Sequence, residues 1–305
     1  MIAHLKGREK ALRRFGWTGA KAEWIALACL HSGVFTRAQL SAWLGIDRWK
    51  AYRFVRSLTD RGFAAEDTFA RRKVCRIYSR PVYRALGAEH VRHRKTASEE
   101  VLVRRLLSLD YVIEHSDLPW LPTEPEKVAA FEALGIERAL LPVRVYGRDG
   151  RETRRHFPVK LPVALNAERA VFVYADPGHG TATALRSWGA AHRRLWQALG
   201  ERSRTVEVVA IARGHRETRR ARKVMRGWAE GSGPGRPGPG PGEEIARIER
   251  AIRGKDDALV EELGGLQGCL LRIVELKSRQ RSASPTGTIG GFAAWRSSRF
   301  PGGGF

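Results

Sequence analysis

Cysteine is almost missing from this sequence: Cys29, Cys75 and Cys269 are all there are in 305 residues. So odd and scattered a set builds neither a disulfide framework nor a zinc knuckle, and it suits a reducing compartment. Long apolar runs are missing as well. No window approaches the ~18 uninterrupted apolar residues of a membrane span. The first 17 residues are basic and have no apolar stretch of the signal-peptide kind. The expectation is a cytoplasmic chain without a membrane partner. Acidic residues are scarce against basic ones, 32 to 55, which leaves a net charge of +23. An excess of that size points to a polyanionic partner, because neutralised phosphates release condensed counterions.

Signatures of catalysis are missing too. There is no G-x-S-x-G, H-E-x-x-H or C-x-x-C. The run Asp176-Pro177-Gly178-His179-Gly180 lacks the Gly-Lys-Ser/Thr ending of a phosphate loop. It reads instead as a strand-to-helix turn with Asp176 or Thr181 as cap. His90 and His93 stand three apart, but no carboxylate or cysteine joins them at a metal-binding spacing, so they read as a surface pair. No metal, cofactor or catalytic residue is expected.

What is present begins with the stretch 36–79. Thr36 is placed to cap a short helix that Gly45 ends, and a second helix spans 47–60 until Gly62. Two β-leaning pieces, 63–69 and 74–78, flank the basic turn Ala70-Arg71-Arg72-Lys73. With a helix over 21–31 in front, the order is that of a winged helix-turn-helix. In the 47–60 helix Ala51, Phe54, Val55 and Leu58 form the apolar stripe, which leaves Arg48, Trp49, Lys50, Tyr52, Arg53 and Arg56 on the opposite face. Four bases and two aromatics suit guanine edges and phosphates of duplex DNA. The candidate DNA contacts are these six with Arg37, and Arg71, Arg72 and Lys73 in the wing.

The rest divides by composition; at roughly 150 residues per domain, about two domains are expected. Residues 1–20 form a basic arm and 21–95 the winged helix. A mixed α/β unit over 96–230 follows, with a helix from Ser98, strands over 109–114, 139–146, 156–165, 170–175 and 206–211, and helices over 127–134 and 182–199. Residues 213–223 continue as an Arg-dense helix. A Gly/Pro linker, 231–242, tethers a helical hairpin over 243–280 whose seam is Ile245, Ile248, Ile252, Leu259, Leu263, Leu266, Leu270 and Val274. The tail, 281–305, reads as disordered. The fold class is α+β and multidomain.

A winged N-terminus followed by RHFPVKLPVAL and AVFVYADPG resembles winged-helix proteins of plasmids and integrative elements akin to the replication-relaxation group, over residues 20–212. The resemblance implies a second domain like the PD-(D/E)XK nuclease core. There, a carboxylate after a proline and a carboxylate-x-Lys on the next strand would hold Mg²⁺. Here the first place is Val159 and the lysine place is Gly178, so the chemistry reads as lost; Glu99, Glu100, Asp110 and Asp176 remain as acids. The leading expectation is a DNA-binding protein of a mobile element that regulates transcription or marks a replication or transfer site, with a homodimer in view. The alternatives are a divergent Mg²⁺ nuclease using Asp176 with Glu99 or Glu100, and an adaptor that recruits a protein through residues 243–280.

Overall fold

The computed structural model describes residues 3–69, 72–146, 152–159, 161–178, 182–229, 241–254, 257–282, 289–297 and 299. Ala70 and Arg71 of the basic turn, the turn at 147–150, Lys160, Thr181 and residues 231–240 lie outside them. The fold is a mixed α+β arrangement, with a three-stranded, a two-stranded and a four-stranded sheet among the described residues.

The N-terminal part follows the sequence closely. In order come α1 (Gly19–His31), β1 (Val34–Thr36), α2 (Arg37–Leu44), α3 (Arg48–Asp60), β2 (Ala64–Phe69) and β3 (Arg72–Ile77). β3 is central and pairs antiparallel with both β1 and β2. Local chemistry sets the helix starts. Thr36 Oγ1 accepts from the Gln39 amide at 3.2 Å, while Gln39 Oε1 accepts from the Thr36 amide at 2.9 Å. This reciprocal capping box satisfies two backbone donors. Asp47 caps α3 by accepting the Lys50 amide at 2.8 Å. Ala51, Phe54, Val55 and Leu58 are buried, as the apolar stripe requires. Residues 3–15 are not the free basic arm expected over 1–20. They wind into two 3₁₀ segments whose Leu5 and Leu12 are fully buried, while Lys6, Lys10, Arg13 and Arg14 face water. Burying two leucines outweighs leaving the segment solvated.

Next come α4 (Arg80–Ala85) and α5 (Glu99–Glu114). The strand expected over 109–114 is instead the last third of α5. A short apolar run does not distinguish a buried strand from a buried helix. What decides is that α5 is enclosed on both sides: α1 and β1 lie against it, and so do two strands of the large sheet.

That sheet takes its strands from the second half: α6 (Glu124–Glu132), β4 (Val143–Tyr146), β5 (Thr153–His156), β6 (Val163–Leu165), β7 (Arg169–Ala175), α7 (Ala182–Gly200), β8 (Thr205–Ala212), α8 (His215–Ala229), α9 (Pro241–Gly254), α10 (Asp257–Glu262), α11 (Gly265–Ser282) and β9 (Gly291–Arg296). The strand order is β6-β7-β8-β9, with β6 antiparallel and the other pairs parallel. The strand expected over 156–165 breaks in two. Phe157 turns the chain at φ 48, so that β5 joins β4 while β6 enters the large sheet.

Register tells which helix covers which face. Phe172 and Tyr174 meet His192, Trp196 and Trp188 of α7. The neighbouring positions on β7 therefore point the other way. Ala175 pairs with Ile211, which pairs with Trp295, and Trp295 meets Tyr111 of α5 at 5.6 Å. So α7 and α8 cover one face and α5 the other.

The C-terminus corrects the sequence reading twice. The tail expected to be disordered contains β9, the parallel partner of β8. The edge of β8 supplies unpaired backbone groups, and an extended segment satisfies them. The helices over 243–280 bury Ile245, Ile248, Cys269, Ile273 and Leu276. Leu266, Leu270 and Val274, expected in that seam, are exposed instead. Cys269, Ile273 and Leu276 already form one face of α11, so residues offset from them point outward. No helix among the described residues is long and apolar enough to cross a membrane.

Asp110 of α5 is fully buried where the parts meet. Its carboxylate accepts from Gln39 Nε2 of α2 at 2.8 Å and from the Ser297 hydroxyl beyond β9. Burial holds this carboxyl above its ordinary pKa, against the pull of those two hydrogen bonds. With the folded value above the unfolded one, the group favours folding below the unfolded pKa and loses that contribution as pH rises through the folded value. Asp110→Asn removes the titration. In urea unfolding, the variant's stability relative to wild type is expected to improve from about pH 4 to about pH 7. A relative stability that worsens over that range would mean that the charge-assisted bonds outweigh the burial cost.

Candidate nucleic-acid interface

α3 presents Arg48, Trp49, Lys50, Arg53 and Arg56 to solvent, and Trp49 is 65% exposed. An indole so exposed is not what folding requires of a helix surface. It is held in place by Tyr52, half-buried and stacked on it with ring centroids 5.3 Å apart. Arg37 in turn lies over the Tyr52 ring at 4.8 Å and forms a two-pronged pair with Glu66 at 2.8 and 2.5 Å. The structure thus brings Arg37 to the same surface but commits its guanidinium to the fold. It is a positioning residue for the aromatic pair.

The remaining α3 bases differ in how they are held. Arg56 is engaged by Asp60 at 3.0 Å, one helical turn along. Lys50 Nζ lies 3.4 Å from the Asp47 carboxylate, which the Lys50 amide itself holds below the ordinary carboxylate range. Such exposed pairs are worth little and exchange readily for another anion. At the foot of α3, an open groove of about 700 Å³ runs between the start of α1 and the α2–α3 turn, lined by Lys21, Ile46, Lys50, Arg53 and Ser57. Lys21 is not among the residues that the sequence pattern singles out. Its place beside α3 arises from the packing of α1, for which no local pattern gives a signal.

The β2–β3 hairpin carries the bases expected in the wing. Lys73 is exposed, with Nζ on the Thr68 hydroxyl at 2.8 Å. Arg72 is half-buried and donates to the Arg299 carbonyl at 2.9 Å, so it faces the C-terminal segment. Arg71 lies outside the described residues.

Of the acids considered for a nuclease, Asp110 stands apart, while Glu100 and Asp176 lie near each other around Tyr174. Asp110 belongs to the buried network with Gln39 and Ser297. Asp176 is mostly buried after β7 and accepts from the Gly178 amide at 2.9 Å. Glu100 is bound by Arg104 at 2.6 Å, and the same guanidinium reaches the Ala175 carbonyl. Tyr174 next to them has its pKa pushed up to about 12, by burial first and then by the Asp176 carboxylate. Val159 is exposed in the turn after β5. Among the described residues, no group of three His, Cys, Asp or Glu is arranged to hold a metal ion. His90 and His93 line a separate cavity of about 320 Å³ with Lys127 and His156.

Removing the Arg37–Glu66 clamp tests its positioning role. Arg37→Ala is expected to cost about 1 kcal/mol of folding stability in urea titration, a partly buried charged pair being worth more than a surface one. No change would mean that the pair contributes nothing to the fold. No protein-family model matches this chain, and comparison with curated proteins and with solved structures finds no significant match.

Proposed function

We propose that this chain binds duplex DNA in a sequence-dependent way, with residues 21–95 acting as a winged helix-turn-helix whose α3 enters the major groove. One observation carries the reading: the outward face of α3 combines Arg48, Lys50 and Arg53 with an exposed Trp49 stacked on Tyr52. Guanidinium groups pair with guanine edges, the ammonium grips phosphate, and a flat indole packs on sugars or thymine methyls. Lys73 of the hairpin reaches the backbone beside it. The charge of +23 supplies long-range attraction. On this reading the protein is a binding protein of a plasmid or integrative element, regulating transcription or marking a site of replication or transfer.

The test is a selection from random duplex DNA at two salt concentrations with Mg²⁺ present. An enriched motif on intact DNA supports the reading, and a palindromic one adds a dimer. Affinity without any motif, collapsing as salt rises, would overturn it; fragmentation that needs Mg²⁺ and vanishes in Asp176→Ala would favour a nuclease. Arg53→Ala is expected to weaken the selected site by about 1–3 kcal/mol and to relax preference at one position. An unchanged motif and affinity would remove Arg53 from the interface.

A second reading, an adaptor that docks a protein partner, is favoured by Leu266, Leu270, Leu271 and Val274, all exposed on α11. Deleting everything after residue 230 would not test it, since that also removes β9 from the sheet. Leu270→Glu with Leu271→Glu leaves β9 in place. On the adaptor reading this pair abolishes partner capture at unchanged DNA affinity.

A further inference from the structure

The Arg-rich segment after β8 is the largest basic feature outside α3. It forms α8, fifteen residues with the sequence HRETRRARKVMRGWA. Ala221, Val224, Met225 and Trp228 are buried, and Trp228 meets Trp196 of α7 at 5.7 Å. At 100° per residue these four fall within one narrow sector. The opposite side carries His215, Arg216, Arg219, Arg220, Arg222, Lys223 and Arg226, all exposed. The helix's one acid, Glu217, falls on the side of the buried residues, in the first turn, and is half-buried.

Stability does not explain this arrangement. Arg216 with Arg220, Arg219 with Lys223, and Arg222 with Arg226 are like charges four apart, which disfavour a helix. His215 and Arg216 sit at the positive end of the helix dipole, where acids are preferred. Solubility would be served by charges of mixed sign. The pattern instead suits a counter-surface of uniform negative charge.

α8 also starts beside the wing. β8 and β9 run parallel and end together, and Arg296 at the end of β9 donates to His215 Nε2 at 2.7 Å. Arg299, just beyond, offers its carbonyl to Arg72 of β3. Arg213, between β8 and α8, has its pKa lowered first by burial and then by the Arg72 cation. Basic groups therefore run from the wing strand, past Arg213 and Arg296, onto the first turn of α8. A helix of this length spans about 22 Å, the rise of roughly six base pairs.

Resting on the DNA-binding reading above, we infer that α8 is a second contact for duplex DNA, gripping the phosphate backbone of sequence that flanks the site read by α3. It positions and strengthens the complex and reads no bases, because a row of arginines without a shaped groove grips phosphates alike along any sequence.

The test uses the full chain carrying Arg216→Gln, Arg219→Gln, Arg222→Gln and Lys223→Gln, with Arg216→Lys, Arg219→Lys and Arg222→Lys as a charge-keeping control. Glutamine and lysine are both good helix formers, and matched circular dichroism checks the fold. Binding is measured against salt on the selected site with and without about ten flanking base pairs on each side. With flanks, the Gln variant is expected to bind at least about tenfold more weakly. Its slope of log K against log salt should fall by about 0.9 for each phosphate that is no longer neutralised. The selected motif stays the same, the Lys control keeps wild-type affinity, and the short duplex hardly distinguishes the proteins. Equal affinity and equal slope on the flanked duplex would overturn the inference while leaving the α3 reading standing. A changed motif would also overturn it, because α8 would then be reading bases. Failure of the wild type to bind either duplex would remove both.

Discussion

α5 is buried on both sides, and the placement of the rest of the molecule depends on that. On one side it carries α1 and β1, on the other the parallel strands β7 and β8. A continuous apolar core joins the halves that the sequence divides near residue 96. The polar anchor inside this core is Asp110, whose two oxygens take one hydrogen bond from α2 and one from the segment after β9. A buried carboxylate is tolerated only where its partners are fixed. Gln39 is fixed because its side-chain oxygen completes the α2 capping box. Ser297 is fixed because β9 has paired with β8. One carboxylate thus makes helix capping, sheet completion and the packing of the first half on the second mutually dependent.

Close backbone approach tightens the same joint. Gly33, between α1 and β1, has φ 74, and a Cβ there would lie 2.5 Å from the His93 carbonyl oxygen. The chain leaving the N-terminal unit is therefore pressed against the turn that feeds β1. Only a residue without a side chain accommodates both that φ and that approach.

Charge is distributed with a similar economy. With 32 acids against 55 bases, several carboxylates are each committed to particular bases. Glu66 orients Arg37 under the aromatic pair, Glu89 ties together Arg80 and Arg84, Glu126 holds Arg8, and Glu114 holds Arg299. The outward face of α8 carries none. Seven basic residues on one side of a fifteen-residue helix concentrate positive charge on that surface. The conspicuous excess is local, and the net charge of +23 understates it.

The parts legible in the sequence are those fixed by local chemistry. Thr36, Gly45, Asp47 and the stripe Ala51, Phe54, Val55 and Leu58 place α2 and α3, because caps and periodicity act within a few residues. The α7 face, from Leu185 to Leu199, reads equally well. What escaped the sequence depends on distant partners. Residues 109–113 are all buried, Asp110 among them, and enclosure from both sides is what favours a helix there. β9 is Gly-flanked and isolated, and it becomes a strand because β8, some eighty residues earlier, offers an edge. The same distance explains the site. The α3 bases are visible from spacing, but the clamping of Arg37 by Glu66 and the turning of Arg72 onto Arg299 require the β2–β3 hairpin and the C-terminus to be in place. The C-terminal segment is therefore more than an appendage to the sheet. Through one short stretch of backbone it joins Arg72 of the β2–β3 hairpin to the Arg299 carbonyl and Arg296 to His215 of α8, so the hairpin and α8 are tied to the same segment.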